Sequence, residues 1–180
     1  MTLPTELETQ RLRLRRPAAA DAEAVFSRYA SDPDATRYLA WTRHLALDDT
    51  RAYLERADRE WETSGAGPYL AFDRGGLLVG STGVHLDPEA PYRAATGYVL
   101  ACDAWGRGFA TELACAMAEL ALGLPRIARI YALCHTDHLA SAHVLEKAGF
   151  VREGVMRRYL VFPNLGDPEP SDVLLYATVR

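Results

Sequence analysis

The chain has 180 residues, 49% hydrophobic and 24% charged, a balance that excludes a disordered chain and suits one folded domain spanning 1–180. Its formal net charge is 20 − 24 = −4, so it lacks the basic footprint that nonspecific nucleic-acid binding requires. No stretch is apolar for long enough to span a membrane, residues 1–6 carry no signal core, and Cys102, Cys115 and Cys134 form no Cys-x-x-Cys, so a cytoplasmic protein with free thiols is expected.

Between Leu7 and Arg16, Leu12 and Leu14 alternate with Arg11, Arg13 and Arg15, the period of a half-buried strand, which Pro17 stops. Ala22, Val25, Phe26 and Tyr29 predict a helix over 21–30, and Ser31-Asp32-Pro33-Asp34 breaks the chain after it. Residues 36–47 are aromatic and irregular. Asp48 or Asp49 is placed to cap a second helix over 50–61, ended by Gly65-Ala66-Gly67-Pro68. Strands are predicted over 69–73, 77–86 and 94–101, the first two joined by Gly75-Gly76. Leu113, Ala114, Met117, Leu120 and Ala121 recur at three and four, predicting a helix over 109–122 that Gly123 stops. A strand over 128–134, a helix over 138–148 and strands over 150–159 and 172–179 complete the order β-α-α-β-β-β-α-β-α-β-β. The class is α/β (α+β): a mixed sheet with helices on its faces.

Gly106-Arg107-Gly108 lies where a strand turns into a helix. A helix start exposes unpaired N–H groups and so suits an anion. Gly108 has no side chain to block a phosphate, and Arg107 adds positive charge from outside. Position 111 is Thr, which breaks the dinucleotide fingerprint, and the Gly-Lys-Ser/Thr of a P-loop is absent.

Trp105-Gly-Arg-Gly-Phe-Ala-Thr-Glu112 resembles the acyl-CoA signature of the GNAT superfamily of N-acetyltransferases, Gln/Arg-x-x-Gly-x-Gly/Ala, with Gly108 and Ala110 on the pattern and Trp105 in place of Gln or Arg. His138-x-x-Ser141 followed by Leu145-Glu-Lys-Ala-Gly-Phe150 is similar to a second block, found in the branch of ribosomal-protein alanine N-acetyltransferases. Leu7–Arg15 and Asp172–Tyr176 also look like that branch. The resemblance implies a six- to seven-stranded sheet that splays after its fourth strand, with the pantetheine arm of acetyl-CoA in the opening. It implies cofactor contacts from Tyr98, Val99, Leu100 and Ala101, from Trp105, Gly106, Arg107, Gly108, Phe109, Ala110 and Thr111, and from His138, Ser141 and Lys147. No metal is implied, and His135, Asp137 and His138 lack a further ligand in view.

Amide formation from a thioester requires an amine to lose a proton, an oxyanion to meet a donor and a thiolate to gain a proton. By resemblance, the acetyl group passes directly to the amine and the Leu100 N–H is the oxyanion donor. Ala95 stands where many members carry a basic Glu, and Leu145 where many carry an acidic Tyr, which leaves Ser141 as the candidate proton donor or a plain cofactor contact. For the base, His85 has the suitable side chain, with Asp87 on the same strand face, and His44 is a second candidate. A water chain with no dedicated base is a third route. Tyr38, Trp41 and His44 are expected in the wall of an acceptor site for a protein N-terminus or a small amine, in a monomer or homodimer that binds neither nucleic acid nor membrane. The competing reading, prompted by Ala95, Leu145 and His138, is a non-catalytic acyl-CoA-binding or regulatory module.

Overall fold

The computed structural model describes residues 2–180. The N-terminal alternating stretch forms two strands where one was expected: β1 (Glu6–Glu8) and β2 (Leu12–Arg15) make a hairpin. Thr9 closes it, its N–H donating to Leu12 O at 2.9 Å and its Oγ1 accepting from Leu12 N–H at 3.1 Å. The helix expected over 21–30 forms but widens. α1 (Ala22–Val25) runs on as a π-helical turn (Phe26–Ala30), in which Ser31 N–H reaches Phe26 O at 3.1 Å.

The stretch read as a breaker holds a short helix, α2 (Pro33–Thr36), with Pro33 at its first position. Asp32 caps it by accepting from Asp34 N–H and Ala35 N–H at 2.8 and 2.9 Å. α3 (Leu47–Ser64) starts three residues before the expected Thr50, because Asp49 reaches back to the N–H groups of Leu45 and Ala46, both at 2.9 Å. Gly65 ends it in the left-handed region.

The remaining elements follow the predicted order: β3 (Pro68–Asp73), β4 (Leu78–Leu86), β5 (Arg93–Leu100), α4 (Phe109–Leu122), β6 (Arg129–His135), α5 (Leu139–Lys147), β7 (Val151–Leu160) and β8 (Ser171–Val179). One eight-stranded sheet has the order β1-β2-β3-β4-β5-β6-β8-β7, one strand more than expected because the N-terminal run is split. Among the described residues only β5 and β6 are parallel, and they pair at just three positions: Arg93–Arg129, Ala94–Ile130 and Ala95–Tyr131. Beyond Ala95, β5 stays with β4 as far as Leu100–Gly80, while β6 stays with β8 as far as His135–Val173. The two strands therefore part, and a wedge opens towards their C-terminal ends.

Alternation assigns the faces. Ala94, Leu100, Ile130, Ala132, Leu174 and Tyr176 enter the core beneath α4 and α5 with Leu113, Met117 and Leu145. On the other face, Val99 joins Val25, Tyr29, Leu70 and Leu78, with Trp41 and Tyr53 packed against them. Gly80 permits β5 to close on β4 at the edge of the wedge, since a Cβ there would lie 2.1 Å from Val99 O and 2.9 Å from Leu100 Cα. Those obstacles are backbone and cannot rotate away. Gly80→Ala is expected to cost at least about 2 kcal/mol, read as a lower urea midpoint; an unchanged midpoint would refute the close approach.

Candidate active site

The wedge is lined on one side by backbone. Ala101 N–H donates to Val79 O at 2.9 Å, and hydrogen-bonded pairs alternate along an antiparallel ladder, so the amides of Tyr98 and Leu100 point away from β4 and into the opening. The Trp105 indole confirms the direction by donating to Leu100 O at 3.1 Å. Val99 and Ala101 turn their amides to β4, so among residues 98–101 only alternate ones can offer backbone groups to a ligand in the wedge.

At the mouth, Gly106 and Gly108 both have positive φ, 71° and 79°. Gly108 is the N-cap of α4, a 14-residue helix whose first-turn amides, on Phe109, Ala110 and Thr111, have no partner in the helix. Two guanidinium groups, from Arg11 and Arg107, lie over the Phe109 ring at 4.9 and 4.6 Å. Helix dipole, free amides and cations converge there, as a pyrophosphate requires. The residues present fit the phosphate end of an acyl-CoA.

The loop is fastened from the β1–β2 hairpin, which supplies two residues the sequence reading did not place here. Arg11 Nη1 donates to Arg107 O at 2.7 Å. Glu112, one turn into α4, accepts from Thr9 Oγ1 (2.5 Å), Arg11 N–H (2.8 Å) and Arg11 Nε (2.7 Å). Burial raises the Glu112 pKa, but the bonds from Thr9 and Arg11 outweigh it and the net shift is downward.

Across the wedge, the Tyr98 hydroxyl lies 2.9 Å from Ser141 Oγ and 3.2 Å from Ser141 O. Ser141 and Leu145 are one turn apart on α5, so Tyr98 brings a phenol from the sheet to the helix face where Leu145 carries none. Cys134, on the same face of β6, has its thiol pushed up to about 11, chiefly by burial. Cys102 is also pushed up to about 11, by burial and by Asp32, whose carboxylate lies 3.5 Å from its sulfur. Both remain thiols at neutral pH, which disfavours an enzyme-bound acyl intermediate.

His138 stacks on Tyr38, ring centroids 4.6 Å apart, and burial lowers its pKa. His135 meets Phe162 edge-on and accepts the Asp137 N–H on Nδ1 at 3.1 Å. Asn164 joins the walls: its Nδ2 donates to Thr36 O and Trp41 O at 2.8 and 2.9 Å, and its Oδ1 accepts from Arg43 N–H at 2.9 Å. No sequence motif marks this bracket between residues 121 to 128 positions apart.

Three expected site residues lie away from the Tyr98–Ser141 side of the wedge. His44 is buried, its Nδ1 2.7 Å from Thr50 Oγ1 and its ring against Trp41, so it supports the wall instead of facing it as a base. Lys147 lies exposed in the last turn of α5, about 13 Å along the axis from His138. His85 sits on the face opposite Ser141, 2.6 Å by Nδ1 from Glu60 of α3.

The Glu112 tie has a pH signature. A carboxylate with a lowered folded pKa stabilises the fold above its unfolded value, and this stabilisation is lost as pH falls through the folded value. Glu112→Gln should cost about 1 kcal/mol at pH 7, and the gap to wild type should shrink below about pH 4.5 in urea titrations.

Comparison with known proteins agrees with this geometry. Residues 11–151 match the model of the acetyltransferase (GNAT) domain. An uncharacterized N-acetyltransferase of Bacillus subtilis, YoaA, is 30% identical over 176 residues, 97% of this chain and 96% of that protein. The microcin C7 self-immunity acetyltransferase MccE, solved with acetyl-CoA and AMP, superposes with a TM-score of 0.86 at 18% identity, covering 98% of this chain and 97% of that one. An acetyltransferase of Salmonella typhimurium that modifies the N-terminal serine of ribosomal protein L7/L12 gives 0.83 at 20% identity over 99% and 98%. The chain belongs to the GNAT family of acetyltransferases.

Proposed function

We propose that the chain is a single N-acetyltransferase domain that moves acetyl from acetyl-CoA to a primary amine by direct attack, the amine being a protein N-terminus or a small molecule. The observation that carries this reading is the wedge with two inward amides behind a glycine nest. The pyrophosphate binds at Gly106–Thr111, so the pantetheine arm enters past Leu100 and reaches Tyr98 last. The two N–H groups are about 7 Å apart along the strand. Leu100 then holds the arm, and the Tyr98 N–H receives the thioester oxygen as negative charge develops on it. The oxyanion role thus moves one inward position deeper than the Leu100 expected from sequence.

As the C–S bond breaks, the thiolate needs a proton. Ser141 supplies it, with the Tyr98 phenol hydrogen-bonded behind it to replace what it gives. The high thiol pKa values at Cys102 and Cys134 favour direct transfer over a ping-pong route. The serine-modifying Salmonella relative supports an N-terminal acceptor and MccE a small-molecule one, so the panel below spans both.

Isothermal titration should show acetyl-CoA binding, and a thiol-release assay should show turnover with one of Ala- and Ser-initiated peptides, spermidine and kanamycin. Gly108→Glu should abolish binding, since a side chain and a negative charge enter the nest at a positive φ where Arg11 already lies 3.2 Å from the Cβ position. Unchanged affinity would refute the site. Ser141→Ala should lower kcat about 100-fold with little change in acetyl-CoA affinity. Tight binding without any turnover would instead favour a regulatory module.

A further inference from the structure

On the sheet face opposite Ser141, β4 and β5 present His85 directly across from Ala95, and Gly83 across from Gly97. Gly97 lies mid-strand in the centre of the sheet, yet it is exposed, and a Cβ there would meet nothing within 4 Å. A central strand is normally covered on both faces, so this is a trough whose floor is the backbone of Gly97. α3 forms its wall, with Tyr53 and Glu60 two turns apart, and Val99 ends it beneath Trp41. At the other end Glu60 Oε1 lies 2.6 Å from His85 Nδ1. A carboxylate accepts only, so Nδ1 carries the hydrogen and the Nε2 lone pair is free.

We propose that His85, oriented by Glu60, is the general base of this enzyme, taking the proton from an acceptor ammonium lying over Gly97. The proposal rests on the acetyl-transfer reading above and supplies the group that Ala95 lacks. Ala95 to Gly97 is two residues, about 7 Å of strand, so one water bridges the imidazole to a nitrogen over Gly97, and the Tyr98 amide is the next residue along. Nitrogen loses one proton to His85 before it attacks. The C–N bond then forms, the C–S bond breaks, and nitrogen loses a second proton as the amide forms. The thiolate takes one proton through Ser141, and the net reaction releases one to solvent.

The other charged or titratable groups around His85 are Arg56 and Tyr53 on α3, Asp87 and Arg93, and Tyr131, Arg129 and Glu153 across the wedge base. Asp87 pairs with Arg93 at 2.7 Å, and Arg129 pairs with Glu153, so the carboxylate left to the imidazole is Glu60.

The test measures the pH dependence of kcat/KM for Ala- and Ser-initiated hexapeptides, spermidine and kanamycin, with acetyl-CoA affinity by titration as the folding control. His85→Gln should keep acetyl-CoA affinity, lower kcat/KM about 100-fold at pH 7 and remove the imidazole inflection. Glu60→Gln should lower kcat/KM about tenfold through kcat with the amine KM kept, and Glu60→Asp should recover part of that loss; a merely structural Glu60 would leave kcat in place. Gly97→Val should raise the amine KM at least about tenfold without altering acetyl-CoA affinity. Turnover by His85→Gln with the wild-type rate and pH profile would overturn the base while leaving acetyl transfer intact. Acetyl-CoA binding with no turnover of any amine by the wild type would overturn both.

Discussion

The parting of β5 from β6 after three paired residues is the constraint on which the rest depends. Strands that stayed paired would spend the Tyr98 and Leu100 amides on each other's carbonyls and leave no donor for a ligand. Once parted, those groups are buried polar atoms in need of a partner, and an extended amide-bearing arm satisfies them much as a strand would. Each strand can part because it is held on its other side: β5 by β4, which Gly80 allows to lie against Val99, and β6 by β8 through seven pairs.

The phosphate end shows how charge is managed beside such a site. Arg11 would be a free cation next to the nest, but Glu112 neutralises it and turns it to brace Arg107 O. Glu112 sits in the first turn of α4, where the helix dipole favours an anion, so one carboxylate serves the helix, the hairpin and the loop together. In the proposed reaction Arg107 is left to meet the phosphates. This division explains how an acidic protein, net charge −4, can hold a polyanionic co-substrate: the attraction is local and built from amides and one or two guanidiniums.

Much of this was legible in the sequence where local rules decide. The strand and helix order, the positive-φ glycines and the helix start at Phe109 follow from alternation, three-and-four spacing and turn chemistry. The failures lie where a side chain at a distance decides. Thr9 splits the first strand by bonding Leu12 and Glu112. Asp49 moves a helix start by reaching back to Leu45 and Ala46, a choice that two adjacent aspartates left open. His44 looked like a base because its type suits one, yet a buried threonine holds it. Tyr98 was seen for its backbone alone. Glu60 and Asn164 carry no motif, and only the packing of α3 and of the β7–β8 loop brings them to the site.

In the proposed reaction the sheet itself separates the two proton movements. Tyr98 and Ser141 lie on the α4–α5 face, and Glu60 and His85 on the α3 face, with the wedge between them. An amine that must lose protons and a thiolate that must gain one are thus served from opposite sides. A base and an acid on one face within hydrogen-bond reach would exchange a proton with each other and leave both in the wrong state. Alternation along β5 keeps them apart, since Tyr98 and Ala95 differ by an odd number of positions and must point to opposite faces. The strand proposed to supply the backbone donors to the thioester would therefore also set the geometry of proton transfer on either side of it.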